Sequence, residues 1–311
     1  VLPYLDDFLL SLQTNGYSAK TVYNYERDLK VLADFLNKCH VPFDKLDKRL
    51  VAQYKAYLVS RDRCTALTSR PACGQLNNRS INRMLSALRS FLRYLIDMDH
   101  PCPLSPAAVK LVKTDRKHPQ VAELDDLVRL IEAPSTLESN PDVALRNRAI
   151  LEVLFATGMR ISELRSLNRS QIDGSGRVFI TGKGRKQRFV YLTPRAAQHL
   201  EAYLATRRDS SPALFVPFAG RNAANPRRRL STNYIQERIK RYREKLRINI
   251  PTSAHSLRHG FATYLAEQGA NPAAIQILLG HESLNTTTRY VHASDRYAEE
   301  THRRFHPLNK A

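Results

Sequence analysis

The sequence predicts a mainly α-helical protein in two parts: an N-terminal helical bundle, then a mixed α/β but mostly helical domain with one small β-sheet. Three observations predict it. In the first hundred residues, apolar side chains recur at helical spacing in four separate stretches. A polar, basic segment with no apolar period, Lys110 to Pro119, then interrupts the chain. Beyond it a single region, Arg177 to Leu192, alternates like a strand pair around a glycine-punctuated turn. A length of 311 residues accommodates about two domains.

Residues 1–16 read as an amphipathic helix with Gly16 as its C-terminal cap. Ser18 to Asn37 is a second, with Tyr25, Leu29, Leu32 and Phe35 at helical spacing. Leu46 to Arg61 is a third. Asn78 to Asp97 is a fourth, striped by Ile81, Leu85, Leu88, Phe91, Leu92 and Leu95. Short connections between such helices predict a four-helix bundle. Residues 63–79, R-C-T-A-L-T-S-R-P-A-C-G-Q-L-N-N-R, are too long and polar for a tight connection. They read as a surface insertion, with a polyanion-contacting loop as the alternative. Pro101 to Pro106 ends the bundle, so the boundaries fall at 1–113 for the first domain, 114–118 for the linker and 119–311 for the second.

The second domain opens with helices over Glu123 to Ile131 and Val143 to Ala156. Gly158 ends the latter and Arg160 opens the next helix, whose Ile161, Leu164 and Leu167 face a core. An arginine placed there needs a carboxylate or phosphate partner, and Glu163 is the nearest carboxylate. In the hairpin, V-F-I-T and F-V-Y-L flank G-K-G-R-K-Q-R, which puts Lys183 between two glycines at the tip. Arg185, Lys186 and Arg188 read as solvated basic residues of that turn. Pro226 to Leu230 and Arg238 to Arg247 are the densest basic runs, the second on a predicted helix with charge on more than one face. Such runs suit backbone phosphates, which fix register without reading bases.

Charge narrows the partner. The chain carries 49 basic and 29 acidic side chains, net +20, which favours a polyanion. Residues 1–113 hold 17 basic and 10 acidic side chains and the remainder 32 and 19, so both halves are expected to contact it, as a clamp does. The cysteines at 39, 64, 73 and 102 form no C-x-x-C pair and no zinc spacing, and read as reduced thiols. No apolar run reaches the ~18 residues that span a bilayer, and no signal peptide is recognisable, so a cytoplasmic protein is expected. The chain begins at Val, so a few preceding native residues are expected.

The chemistry concentrates between Thr252 and His292. His255 and Arg258 share a helix face; Gly269 to Pro272 breaks that helix; a second apolar segment, Ala273 to Leu279, stops at Gly280, and His281 follows at once. Tyr290 comes nine residues after His281. Two imidazoles, a guanidinium and a phenol suit a phosphodiester. The guanidinium takes two non-bridging oxygens in its fork, the imidazoles move protons near neutral pH, and the phenol can attack phosphorus to form a covalent ester. Its reference pKa of roughly 10 calls for neighbouring cations.

H-x-L-R-H, then L-G-H, then Tyr at plus nine resembles the tyrosine recombinases, the phage-integrase family. A-T-G-M-R-I-S-E-L (156–164) resembles that family's first arginine box and T-G-K-G-R-K-Q-R (181–188) its lysine hairpin. The resemblance runs over nearly the whole chain and is closest to the Xer-type resolvases, although residues 63–79 depart from that compact pattern. It implies a SAM-like core-binding domain followed by a catalytic domain. It implies Tyr290 as nucleophile, leaving a 3′-phosphotyrosyl bond and a 5′-hydroxyl, with a Holliday junction between strand exchanges. Arg160 and Arg258 would clamp the scissile phosphate, Lys183 protonate the leaving oxygen, His255 act as acid–base partner and His281 donate to a phosphate oxygen. His259 is turned by ~100° from that face and is expected to pack or orient. No cofactor and no metal are implied.

The implied partner is double-stranded DNA carrying an inverted-repeat site, bound by a homo- or hetero-tetramer across two sites in the nucleoid. The biological setting is dimer resolution or mobile-element integration. Ala298 to Leu308, with Ala298, Phe305 and Leu308 as an apolar minority and no sequence of its own left to pack on, would dock on a neighbouring protomer; the alternative is that the tail folds back on its own catalytic domain. Three rivals are weaker. A type IB topoisomerase shares the chemistry. A helix-turn-helix regulator, suggested by Pro272 to Tyr290, leaves Arg160, Lys183, His255 and Arg258 unexplained. A metal nuclease needs clustered carboxylates, and these segments offer only Glu163 and Glu282.

Overall fold

The computed structural model describes residues 2–60, 64–65, 68–71, 75–114, 122–182, 187–220, 223, 225, 228–280, 299 and 302–309. The chain divides into two compact units, Val1–Lys117 and His118–Ala311.

The first unit is built on α1 (Leu5–Thr14), α2 (Ala19–Lys38), α3 (Lys48–Val59) and α4 (Asn78–Asp97). Ser18, Asp47 and Asn77 cap the last three, each side chain accepting a backbone N–H of the first turn. Such caps satisfy donors that a helix start leaves open and stabilise it by about 1 kcal/mol each. The stripes read from the sequence meet in one core: Leu29, Leu32, Leu58, Ile81, Leu85, Leu88, Phe91 and Leu92 are all essentially inaccessible. Asp28 is buried with them and accepts from Arg83 of α4 at 2.6 Å. Burial outweighs that partner and pushes the Asp28 carboxyl up to about 6. The strap after α4 stays with this unit: Asn82 donates to the Val112 carbonyl at 2.8 Å and accepts the Val112 N–H at 2.7 Å, while Asn78 donates to Lys113. Within residues 63–79, Cys64–Thr65 (β1) and Thr68–Pro71 (β2) pair as a short antiparallel hairpin.

The second unit is helical around one further hairpin. Its helices are α5 (Leu124–Glu132), α6 (Pro134–Leu137), α7 (Pro141–Thr157), α8 (Ile161–Ser166), α9 (Pro194–Ala205), α10 (Thr232–Lys245), α11 (Ala254–Glu267) and α12 (Pro272–Leu279). Strands β3 (Arg177–Thr181) and β4 (Gln187–Tyr191) pair antiparallel, Val178 opposite Val190 and Ile180 opposite Arg188. The face bearing Val178, Ile180 and Val190 is buried in the main core. α7 is buried along most of its length, and α9 packs against it. α9 carries start signals of its own: Thr193 caps it and Pro194 occupies its first turn.

Residues 302–305 are helical and pack on their own unit. His302 lies beside the Ala156 carbonyl (Nε2 to O 2.6 Å), His306 beside that of Phe155 (3.3 Å), and Leu308 is 8% exposed within the main core. The tail therefore does find sequence of its own chain to pack on. The expectation that it lacks such a surface is wrong, because its histidines are neutral aromatic packing groups here: burial lowers His302 to about 4 and His306 to about 3. Among the described residues no helix is long and apolar enough to cross a membrane, and Cys39 and Cys102 are free thiols.

Candidate active site

Three chain breaks bring the site together. α7 stops at Gly158, whose φ of +60° is left-handed and whose missing Cβ leaves room for the Phe261 ring; a Cβ there would lie 2.4 Å from that ring. The turn delivers Arg160 to the start of α8. Glu163 caps the helix start, its Oε2 accepting the Arg160 backbone N–H at 2.7 Å and its Oε1 the Arg160 Nη1 at 2.9 Å. The pairing expected from the sequence is thus observed, with Arg160 35% exposed and Glu163 buried.

α11 starts at the Ser253 cap and carries His255, Arg258 and His259 in its first turns. His255 is exposed; its Nε2 lies 3.0 Å from that of His259, so His259 orients its neighbour. Burial, then the proximity of His259, Arg258 and Arg160, holds the His255 imidazole below its ordinary range. The shift favours the neutral imidazole, the form able to accept a proton. Arg258 is 4% exposed and donates to the Gly158 carbonyl at 2.8 Å and to the Leu279 carbonyl at 2.6 Å. Burial, followed by the charges of Arg160 and Arg188, lowers it to about 10, which leaves it a cation at neutral pH.

α12 supplies the common anchor. A helix C-terminus leaves its last carbonyls unpaired and partly negative. Three arginines from three elements take them in turn: Arg188 the Leu278 oxygen at 2.8 Å, Arg258 that of Leu279, and Arg160 that of Gly280 at 3.3 Å. Arg188 is not the solvated turn residue expected. Its side chain is 9% exposed, and it donates to both Glu163 oxygens at 3.0 and 2.9 Å. Burial raises the Glu163 carboxyl, but donation from Arg188 and Arg160 wins and holds it below the usual range. Its position on the core face of the hairpin was the overlooked signal: by period two, Arg188 shares a face with Val190.

Among the described residues, three guanidiniums around one carboxylate leave positive charge in excess, and the chain leaves this cluster at Gly280, directly before His281. Lys183, His281 and Tyr290 lie outside the described residues. Of the other basic residues, Arg229 is occupied with the carbonyls of Arg165 and Leu167 and with Asn168 Oδ1. Arg238 is paired with Glu138, whereas Lys240, Arg241 and Lys245 of α10 are exposed. Among the described residues no group of three or more His, Cys, Asp or Glu could hold a metal ion.

Residues 120–296 match the Phage integrase family and residues 5–98 the Phage integrase, N-terminal SAM-like domain. Tyrosine recombinase XerD of Staphylococcus epidermidis is 31% identical over 97% of this chain and 98% of its own. XerD of Staphylococcus aureus is 32% identical over the same shares. The fold resembles that of the XerH site-specific recombinase solved with its difH substrate, with 21% identity, 95% and 82% of the two chains covered and a TM-score of 0.65. A lambda integrase dimer solved on a COC′ core site gives 19%, 90% and 94%, and 0.67. None of these likenesses is to a topoisomerase or a helix-turn-helix regulator. Two domain matches in the expected order, over a fold whose arginine boxes converge, place this chain in the phage integrase family: it is a tyrosine recombinase, an enzyme of site-specific DNA recombination.

Proposed function

We propose that Tyr290 is the nucleophile, attacking the scissile phosphate to leave a 3′-phosphotyrosyl bond and a free 5′-hydroxyl. The observation that carries this is the convergence of Arg160 and Arg258 at the end of α12, ten residues ahead of Tyr290, with His255 three residues before Arg258 on α11. Arg160 and Arg258 neutralise charge as phosphorus becomes five-coordinate, and preorganised cations of this kind are the largest part of such catalysis. His255 accepts the phenol proton. Lys183 protonates the departing 5′-oxygen, and His281 donates to a non-bridging oxygen. The phosphotyrosyl ester conserves the energy of the broken bond, so rejoining follows by reversal with another strand's hydroxyl and needs no ATP or metal.

The first unit, expected over 1–113, serves as the core-binding domain and residues 119–311 as the catalytic domain. The partner is double-stranded DNA with an inverted-repeat site. Two such sites and four protomers pass through a Holliday junction, because each tyrosine serves one of four strands. Support comes from the relatives: XerH was solved on its difH substrate, and lambda integrase as a tetramer on a Holliday junction. The reading places the enzyme in the cytoplasm, on the nucleoid.

A nicked suicide duplex, which loses the 5′-hydroxyl strand after cleavage, tests the assignment. The wild-type protein is expected to accumulate a covalent adduct and Tyr290→Phe none. An adduct in Tyr290→Phe would move the role elsewhere, with Tyr297 as the first substitute to examine.

A further inference from the structure

We propose that Arg188 is a positioning residue of this active site. Through Glu163 and the Leu278 carbonyl, it holds three segments in one register: the Arg160 turn, the hairpin that carries Lys183, and the helix end that leads to His281. The inference deepens the recombinase reading and rests on it.

The strand register forces the arrangement. Arg188 stands opposite Ile180, on the hairpin face that Val178 and Val190 bury in the core. A guanidinium directed there must find several acceptors or destabilise the fold. It finds three: the two oxygens of Glu163, taken end-on by Nη1 and Nη2, and the carbonyl of Leu278, taken by Nε. The remaining contacts of Glu163 go to Arg160, through its backbone N–H and its Nη1. The carboxylate is thus gripped by one arginine on each side. Loss of Arg188 removes two of its four donors, and Arg160 loses the fixed counter-charge that orients it.

The same guanidinium also shapes the approach to His281. Gly280 has a φ of +62°, and a Cβ on it would lie 2.9 Å from Arg188 Nη1 and 3.1 Å from Cζ. The backbone therefore passes directly over the arginine where the chain leaves α12. Lys183 precedes Arg188 by five residues in the same hairpin. One side chain then ties together parts of the chain that a phosphate must meet simultaneously.

The test compares Arg188→Lys and Arg188→Met with wild type in single-turnover cleavage of the nicked duplex, alongside DNA affinity and hydrogen exchange at the Arg160 amide. Misplacement of a catalytic group by an ångström slows chemistry by about 100-fold, and Arg188→Met is expected to fall by about that factor with affinity within about twofold of wild type. Arg188→Lys keeps the charge without the fork and should fall between the two. The Arg160 amide should exchange faster in both, while amides in the core of α2 keep their protection. A double variant, Arg188→Met with Glu163→Gln, should be no slower than the slower single change, because both act through one carboxylate. Arg177→Gln removes a charge from the same hairpin at an exposed pair with Asp173 and should leave the rate unchanged.

Wild-type cleavage and wild-type Arg160 protection in Arg188→Lys would overturn the proposal, as would losses that multiply in the double variant or an equal loss in Arg177→Gln. If Arg188→Met does not fold, Arg188→Lys decides by the same two measurements. Absence of any adduct in wild type would defeat the recombinase reading instead, and the Arg160 amide would still decide the role of Arg188.

Discussion

Two buried glutamates, eleven residues apart, each hold a pair of arginines, and their surroundings differ in kind. Glu152 of α7 is inaccessible; its Oε1 accepts from Arg148 at 2.8 Å and from Arg195 of α9 at 2.8 Å. Both arginines also reach Glu132. Two guanidiniums thus meet two carboxylates, and the cluster is balanced. Its Oε2 has no hydrogen-bond partner among the described residues. Glu163 has both oxygens doubly used, yet faces Arg160, Arg188 and Arg258 with no second carboxylate bonded to them among the described residues. Among the described residues Arg258 is answered by carbonyls alone, which orient a cation without cancelling it. The first cluster cross-links α5, α7 and α9; the second keeps fixed, unmatched positive charge, which is what an incoming phosphodiester requires. Sequence spacing alone, R-x-x-x-E against R-x-x-E, does not separate them.

The sharpest test is a crossed pair of substitutions. Arg160→Gln should slow cleavage by about 100- to 1,000-fold while the melting temperature stays near wild type, because Arg160 is partly exposed and Arg188 still covers Glu163. Arg148→Gln should do the reverse. Breaking one arm of a buried ion cluster destabilises by about 3 kcal/mol, the low end of the range because Arg195 remains, with cleavage per folded molecule unchanged. Thermal melts and single-turnover rates on the same preparations decide. If Arg160→Gln lowers stability and spares cleavage, the two clusters have been assigned the wrong way round.

A smaller effect probes the unmatched charge directly. Orthovanadate resembles the five-coordinate phosphorus and should bind where positive charge is in excess. At tenfold its dissociation constant it stabilises the fold by about 1.4 kcal/mol, a rise of about 3–6 °C for a unit of this size. The shift should appear in wild type and in Arg148→Gln, and vanish in Arg160→Gln and in Arg258→Gln. An unchanged shift in the last two would place the anion elsewhere.

Much of this comparison was legible in the sequence and part was not, for physical reasons. Helical periodicity located α1 to α4, because each buries one stripe against the others. Gly158 and Gly280 marked helix ends, because both need left-handed backbone. Arg160 was recognisable as a core-facing arginine with a carboxylate three residues on. Arg188 obeys the same logic, but its partner lies 25 residues away in sequence, so only the strand pairing reveals the contact. The tail failed differently: His302 and His306 count as polar in a hydropathy pattern, yet pack as neutral rings against Phe261.

The smallest expected effect concerns the proton. His255 is kept below its ordinary pKa by burial first and then by His259, Arg258 and Arg160. As the base in cleavage, it must be neutral to act. The single-turnover rate should therefore rise with pH through an inflection below the ordinary histidine value of about 6.5 and be flat through neutrality. His259 disfavours the protonated form, so His259→Ala should move that inflection upward, toward the unperturbed value, with little change in the plateau. Arg258 and Arg160 act in the same direction but also touch the phosphate in the proposed mechanism, so their removal would change rate and profile together. His259 separates the two effects, because it touches His255 and has no assigned contact with the substrate. An inflection that stays in place, or moves down, would remove His255 from the role of base and leave the imidazole as a hydrogen-bond donor to the phosphate.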